Sequence, residues 1–184
     1  FQMKKVYLFL AYGFEEVEAL TVADLLRRAD IEVITVSISS SNAVSGAHFI
    51  PVVADIKLDE SGFEDADAIV LPGGLPGVDN LKECERLKEI IRENLEKGKY
   101  ICAICAAPTM LGEMGVLEGK KATCYPGCEG ALKGAEYKED RVVVDGNIVT
   151  SRGVGTAIDF ACEIIKLLEG ERKSADVRKS ILAD

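Results

Sequence analysis

Two cysteines with the spacing of known reactive motifs lie in the segment KYICAICAAPTMLG, residues 99–112. A C-x-x-C pair can be a redox disulfide, half of a metal site, or one reactive cysteine beside an inert one. If residues 100–104 form a strand, Cys102 and Cys105 lie about 10 Å apart along it. A disulfide requires Cα atoms within about 7 Å. The spacing therefore favours two unlike cysteines, with Cys102 packed inside the strand.

Cys105 falls where a strand must turn into a helix. The small residues Ala103, Ala106 and Ala107 permit a sharp bend, and a proline at position 108 is tolerated only in the first turn of a helix. The pattern is typical of a nucleophile elbow with cysteine as the nucleophile. A helix that starts at Ala106 also predicts a lowered pKa for the thiol. The same residues fit a small buried hydrophobic side chain, so both interpretations stay open at this point.

The elements that position this turn alternate along the chain. Continuous apolar runs in KKVYLFLAY, IEVITVSI, DADAIVLP and KYICAI predict buried strands, and EEVEALTVADLLRRAD and residues 83–97 predict helices. Farther along, RVVVDGNIVTS predicts two strands around an Asp-Gly turn, and TAIDFACEIIKLLEG and ERKSADVRKSILAD predict two helices. The alternation indicates a parallel sheet covered on both faces, an α/β sandwich.

Ligands of such sheets bind at the carboxyl ends of the strands. Three loops are predicted there: YGFEEVE after the first strand, PGGLPG, and the turn after KYICAI that contains Cys105. PGGLPG is not a phosphate-binding loop, because no Gly-Lys-Ser/Thr follows it. Arg152, in SRGVG, is expected to brace the region around the turn.

Composition restricts the class of protein. With 184 residues, 48% hydrophobic and 29% charged, the chain fits one globular domain, and Phe1 and Gln2 before Met3 resemble the remnant of an expression tag. The net charge of -9 argues against a nucleic-acid partner, and no run is apolar enough for a membrane partner. Six cysteines without a signal-peptide pattern predict free thiols and a cytoplasmic location.

Four segments carry a resemblance to a known family: YGFEEVEA, VLPGG, AICAAPTML and SRGVGTAIDFA. Together, and in this order between Lys4 and about Gly170, they resemble the ThiJ/PfpI superfamily, in particular the branch of the parkinsonism-associated protein deglycase and its bacterial relatives. The resemblance implies a flavodoxin-like three-layer sandwich with a mostly parallel central sheet. It also implies one ThiJ/PfpI-like domain over residues 3–184, usually found as a homodimer.

The same resemblance implies the site. By position, the reactive cysteine is Cys105 and the protonated glutamate beside it is Glu18, with the backbone N–H groups of Gly74 and Ala106 as an oxyanion hole. Gly73 is expected in the pocket. A carboxylate and a thiolate side by side cannot both ionise at low cost. A coupled pair with ionised Cys105 and neutral Glu18 is therefore expected.

Three further titratable residues, Glu15, Glu16 and His48, are not assigned to the site. Glu15 and Glu16 are expected to cap the helix or to face solvent. His48, the single histidine of the chain, is expected in a structural or dimer-surface position.

Two departures from the family pattern restrict the reactions that are expected of this chain. Protease-like members have a histidine directly after the cysteine, where this chain has Ala106, so peptidase activity is not expected. The T-x-H-P loop of the deglycase branch reads TCYP here. Tyr125 is therefore expected to shape the pocket without acting as a general base, since tyrosine has an ordinary pKa of about 10.

No metal is expected, because Cys124, Cys128 and Glu129 lack a second C-x-x-C or a histidine partner. Two functions remain open. The resemblance implies a cofactor-free glyoxalase or deglycase that acts on 2-oxoaldehydes such as methylglyoxal, or on their thiol and amine adducts. The alternative is an oxidative-stress sensor or chaperone-like protein whose Cys105 is oxidised with little turnover.

Overall fold

The computed structural model describes residues 2–183, which form eleven strands and six helices. Phe1, half of the expected tag remnant, lies outside the described residues. The strands are β1 (Lys5–Leu10), β2 (Glu32–Ser37), β3 (Ala43–Ser45), β4 (Pro51–Val53), β5 (Ile56–Lys57), β6 (Ala68–Leu71), β7 (Tyr100–Ile104), β8 (Lys121–Ala122), β9 (Glu136–Tyr137), β10 (Val142–Asp145) and β11 (Ile148–Ser151). The helices are α1 (Glu16–Arg28), α2 (Gly77–Glu83), α3 (Glu85–Glu96), α4 (Pro108–Glu113), α5 (Ala157–Glu169) and α6 (Glu171–Ser180).

A central sheet with the order β10-β11-β7-β6-β1-β2-β5 organises the described residues. All of its neighbouring strands run parallel except the β10–β11 hairpin at one edge. β6 is buried along its whole length, and β1 and β7 are buried at every residue after the first. Strands covered on both faces need apolar residues throughout, which explains the continuous apolar runs of the sequence. The predicted mostly parallel α/β fold is confirmed.

Two hydrophobic cores make this sheet the middle layer of a sandwich. On one face, α1 and α5 pack against the sheet through Val22, Leu26, Phe160 and Ile164. On the other face, α3 and α4 pack through Leu87, Ile91, Met110 and Leu111. Each such side chain contributes roughly 1.5–3 kcal/mol when it is fully buried.

Three local features differ from the sequence predictions. The helix predicted at residues 83–97 begins at Glu85, because the extended backbone of Cys84 separates it from α2. The apolar pattern of TAIDFACEIIKLLEG predicts that Ile158 faces the core together with Ala161, Cys162 and Ile165, but Ile158 is 41% exposed. The hairpin of β3 and β4 was not predicted, since each of its strands has only three residues. Within residues 2–183, no helix combines the length and the apolar character needed to cross a bilayer.

The topology collects several loops at one edge of the sheet. Strand β1 is flanked by β2, which follows it in the chain, and by β6, which comes later. Successive strands are therefore added on opposite sides of β1, and this reversal of strand order leaves a crevice at the carboxyl ends of the strands. The loops that follow β1, β6, β7 and β11 all begin at this edge. They contain the segments YGFEEVE and PGGLPG, the turn at Cys105, and SRGVG.

Candidate active site

Cys105 has a left-handed backbone conformation between β7 and α4, with φ of 67°. This conformation is uncommon for a residue with a side chain. The Cys105 N–H donates to the carbonyl of Ser151 at 3.0 Å, and the Tyr125 N–H donates to the carbonyl of Cys105 at 2.8 Å. These hydrogen bonds hold the sharp turn between the end of β11 and the loop after β8. The thiol is left half-buried at the carboxyl edge of the sheet.

Glu18 lies in the first turn of α1, and its exposed fraction is 0%. Glu15 caps this helix by accepting a hydrogen bond from the Val17 N–H. The Gly73 N–H donates to Glu18 Oε1 at 2.8 Å, whereas Oε2 has no hydrogen-bond partner among residues 2–183. A buried carboxylate with an unpaired oxygen is costly, so this oxygen favours a proton.

Gly73 allows Cys105 and Glu18 to approach each other because it has no side chain. A Cβ at this position would lie 2.5 Å from the Cβ of Cys105 and 2.6 Å from Oε1 of Glu18. The Cys105 Cβ and the Glu18 Oε1 are therefore within about 5 Å of each other. Gly73 was predicted to line the pocket. It contacts both members of the pair but is not among the residues that line the cavity.

The two side chains titrate as a coupled pair. Burial raises the pKa of Glu18 to about 7. Burial, together with the negative charge of Glu18, raises the pKa of the Cys105 thiol to about 12. In a coupled pair these values describe the loss of the first and of the second proton. Between them, the pair holds a single proton.

The predicted lowering of the thiol pKa is wrong in direction. Helix α4 begins at Pro108 rather than at Ala106 and has only six residues, so its dipole acts weakly on the sulfur. The Ala106 N–H favours the thiolate, but burial and the Glu18 carboxylate outweigh it. Above pH 7 the pair therefore retains one proton, which the Cys105 thiol and the Glu18 carboxyl group share.

Two backbone N–H groups near the sulfur stay available to a ligand. Gly74 lines the cavity in front of Cys105, and the N–H of Ala106 interacts with the Cys105 sulfur. Within residues 2–183, neither N–H donates to a backbone carbonyl. Gly74 has φ of 94°, and a Cβ there would lie 2.4 Å from the Glu15 nitrogen, so this backbone position requires glycine.

A cavity of about 560 Å³ opens in front of the pair. This volume is within the range of small-molecule sites. Tyr125, the predicted pocket residue, lines it and is 53% exposed. The rest of the lining consists mainly of residues from the loops around β10 and β11: Pro126, Glu139, Arg141, Arg152, Gly153, Val154, Gly155 and Thr156.

Arg152 braces the cavity wall, as its position after a strand predicts. Its Nε donates to the carbonyl of Cys124 at 3.2 Å, and its Nη2 donates to the hydroxyl of Tyr137 at 2.7 Å. Sequence reasoning missed Glu139 and Arg141 as lining residues. Their segment carries no motif, and only the β10–β11 hairpin brings it to the site.

The other singled-out residues have capping or packing positions. Glu15 caps α1 as expected, but the expectation for Glu16 is wrong, because it is buried rather than solvent-facing. His48 lies in the loop between β3 and β4, where its side chain contacts Glu16. Cys102 is buried in β7 as predicted, and burial raises its pKa. All six cysteines are free thiols.

The fold and the site together define a flavodoxin-like sandwich with a cysteine at the carboxyl edge of the sheet and a buried glutamate beside it. Comparison with protein-family models identifies the group more closely. Residues 4–167 match the model of the DJ-1/PfpI family, and the chain belongs to this family.

Similar proteins come from several kingdoms. The chain is 39% identical to Protein dj-1beta of Drosophila melanogaster over 97% of each chain. It is 33% identical to the glutathione-independent glyoxalase DJR-1.2 of Caenorhabditis elegans, over 91% of this chain and 89% of that protein. It is 41% identical to Protein DJ-1 homolog B of Arabidopsis thaliana over 95% of this chain, which spans only 40% of that relative.

Solved structures share the fold over nearly the whole chain. The crystal structure of Drosophila melanogaster DJ-1beta superposes with a TM-score of 0.96, at 38% identity and with full coverage of both chains. Toxoplasma gondii DJ-1 in an oxidized form superposes with a TM-score of 0.94, at 33% identity over 97% of this chain and 98% of that one.

Proposed function

We propose that the protein is a cofactor-free glyoxalase that converts 2-oxoaldehydes such as methylglyoxal into 2-hydroxyacids. Cys105 is the nucleophile and Glu18 carries the proton. One observation supports this proposal most strongly: a cysteine at a strained turn borders a fully buried glutamate whose Oε2 is unpaired and whose pKa is about 7. A general base is most effective when its pKa is near the working pH.

The first step is addition of the thiol to the aldehyde. The Glu18 carboxylate takes the proton of the Cys105 thiol while the sulfur forms a bond to the aldehyde carbon. We assign the stabilisation of the negative charge that develops on the aldehyde oxygen to the N–H groups of Gly74 and Ala106, which donate to no backbone carbonyl. Glu18 then passes this proton to the oxygen, which gives a hemithioacetal and restores the Glu18 carboxylate.

The second step moves hydrogen between the two substrate carbons. Glu18 removes the proton from the former aldehyde carbon, and the resulting enediol is reprotonated on the neighbouring carbon. The aldehyde carbon is thereby oxidised to a thioester and the ketone carbon is reduced to an alcohol, so no external oxidant or cofactor is needed. Water then hydrolyses the thioester, which releases the hydroxyacid and restores the thiol.

The relatives support the proposal in part. The Caenorhabditis elegans relative bears the name of a glutathione-independent glyoxalase. The cavity in front of Cys105 is open to solvent on the side of Tyr125, which leaves room for 2-oxoaldehyde adducts of thiols or amines as larger substrates. We therefore include deglycase activity on such adducts in the proposal. A peptidase is not proposed, since no histidine lies at the turn.

Lactate formation from methylglyoxal tests the proposal. The purified protein is compared with Cys105→Ala, with Glu18→Gln and with the control Glu139→Gln, which changes a carboxylate of the same cavity that has no proposed role. We expect both site variants to lose at least about 100-fold in rate and the control to stay within a few-fold. Lactate formation by Cys105→Ala at the rate of the unmodified protein would disprove the proposal.

Oxidation of Cys105 is a second candidate, favoured by the oxidized state of the similar Toxoplasma gondii protein. Two equivalents of a peroxide convert the thiol to a sulfinate and release two waters. A protonated Glu18 Oε2, which has no other partner, donates a hydrogen bond to this group. Intact-mass and peptide analysis after mild peroxide should place two added oxygens on Cys105 first. Earlier oxidation of Cys128 would contradict this candidate.

We also propose a homodimer. Large apolar side chains are exposed on α1 and on the neighbouring β3–β4 hairpin: Val17, Leu20, Phe49, Ile50 and Val53. The hairpin loop is hydrogen-bonded to the start of α1, so these side chains belong to adjoining surfaces of the kind that proteins cover. Light scattering should give twice the chain mass, and Leu20→Glu should give monomers. A monomeric parent protein at micromolar concentration would contradict the dimer.

A further inference from the structure

Three potential metal ligands converge beside the cavity, at the start of α1. Glu15 and Glu16 come from the helix, and His48 comes from the loop between β3 and β4. One ligand atom of each residue lies within 4.8 Å of the other two. His48 Nδ1 is 3.0 Å from Glu16 Oε2 and 3.5 Å from Glu15 Oε2. None of the three residues has a role in the proposed reaction.

Backbone hydrogen bonds hold both carboxylates in place. Glu16 Oε1 accepts from the N–H groups of His48 at 2.7 Å and Ile50 at 3.3 Å. Glu15 Oε1 accepts from the Val17 N–H at 3.1 Å. The second oxygen of each carboxylate is thereby directed toward the imidazole. Outer hydrogen bonds of this kind orient the ligands of natural metal sites.

The separations fit a first-row divalent cation. With metal–nitrogen and metal–oxygen bonds of about 2.0–2.2 Å, two ligands of a tetrahedral zinc ion are about 3.3 Å apart. The two distances from Nδ1, 3.0 and 3.5 Å, bracket this value. The Glu16 side chain is only 4% exposed, whereas that of His48 is 69% exposed. The buried carboxylate holds its ligand oxygen in a fixed position, and the side of His48, which is exposed in the single chain, leaves room for a water ligand.

We propose that Glu15, Glu16 and His48 form a binding site for one divalent cation of the zinc type. The cation replaces the proton that His48 Nδ1 shares with Glu16, and this proton is released to solvent. Two carboxylates supply two negative charges, which exceed the partial positive charge of roughly one half at a helix amino terminus. One imidazole nitrogen and two carboxylate oxygens are suitable ligands for Zn²⁺.

The site has a structural consequence. A bound cation fastens the loop at residues 46–50 to the start of α1. Because Glu15 also lines the cavity in front of Cys105, the cation lies at the rim of that cavity. The inference goes beyond the glyoxalase proposal and does not depend on it, since its test measures binding rather than turnover.

The single histidine of the chain makes the test specific. ZnCl₂ is titrated into the ¹⁵N-labelled full chain, and the imidazole nitrogen signals are recorded by NMR; zinc bound to cysteines leaves these signals in place. We expect the Nδ1 signal of His48 to shift and to saturate at one equivalent. Glu15→Gln should weaken this binding at least about tenfold, while Asp24→Asn, a neutralisation farther along α1, should leave it unchanged.

Two results would overturn the inference. One is an imidazole spectrum that does not change at a large excess of Zn²⁺. The other is equal affinity of the parent protein and Glu15→Gln at the imidazole. Since Glu15 caps the helix from the cavity rim and is not part of the hydrophobic core, and glutamine keeps the capping oxygen, the variant is expected to fold, and its amide NMR spectrum verifies this directly.

Discussion

Replacing Glu18 with glutamine removes the charge beside Cys105 and keeps the size of the side chain. The Cβ of Cys105 and the Oε1 of Glu18 are within about 5 Å of each other. If the sulfur and the carboxylate are separated by a similar distance of about 5 Å, then with an effective dielectric constant of about 20 one charge changes the free energy of the other by about 3 kcal/mol. One pKa unit corresponds to about 1.4 kcal/mol. We therefore expect Glu18→Gln to lower the pKa of the Cys105 thiol by about 2.

Alkylation by iodoacetamide measures this change. A pKa lower by about 2 increases the thiolate fraction near neutral pH about 100-fold, while the intrinsic nucleophilicity of the thiolate falls roughly tenfold, because its Brønsted slope is about 0.4–0.5. Cys105 of Glu18→Gln should therefore react about tenfold faster than in the parent protein. Mass spectrometry of the peptide that contains Cys105 separates it from the other thiols. Glu139→Gln, in the same cavity wall, is the matched control.

The opposite outcome has a clear meaning. If Glu18 is neutral in the resting protein and stabilises a thiolate by donating a hydrogen bond, its replacement raises the thiol pKa or leaves it unchanged. An alkylation rate of Cys105 that stays constant or falls in Glu18→Gln therefore refutes the expectation that the charge of Glu18 raises the thiol pKa.

Three further perturbations test other contacts. Gly73→Ala should reduce lactate formation at least about 100-fold, since the new Cβ would lie 2.6 Å from Glu18 Oε1; a rate within a few-fold of the parent contradicts this. The folded-state pKa of Glu18 is about 7, above its ordinary value of 4.5, so the folded protein binds this proton more tightly than the unfolded chain. The free energy of unfolding therefore falls as pH rises from 4.5 through 7. Urea denaturation at pH 5 and pH 8 should show Glu18→Gln gaining about 2.5 kcal/mol relative to the parent between these two pH values, and an equal pH dependence of both proteins would argue against a raised pKa. Ser151→Ala should lose about 1–3 kcal/mol in urea denaturation, because the buried hydroxyl donates to the carbonyl of Arg141 at 2.6 Å and contacts the Thr156 hydroxyl at 2.7 Å; an unchanged midpoint contradicts a role for these contacts.

The sequence was sufficient for the fold because each level of pattern agrees with the others. Apolar strands such as β6 and β7 are continuous because both faces are covered. The turn at Cys105 was predictable from the small residues and the proline around it. The resemblance to a family then identified Glu18, which no local pattern distinguishes from its neighbours Glu15 and Glu16.

Properties that depend on tertiary distances were not predictable. The thiol pKa depends on burial and on the carboxylate, whereas the sequence indicated only a nearby helix. Glu16 is buried because a loop more than thirty residues away donates two N–H groups to it. Arg141 reaches the cavity through the β10–β11 hairpin, and its local sequence gives no sign of this.

The number of lactate molecules formed per protein chain distinguishes catalytic turnover from a single modification of Cys105. Methylglyoxal is supplied in large excess, and lactate and the intact mass of the protein are measured in the same sample over time. The account predicts many lactates per chain, an unmodified mass at the end of the reaction, and no lactate above background with Cys105→Ala. A single stable adduct on each chain, with no more lactate than Cys105→Ala produces, would contradict it.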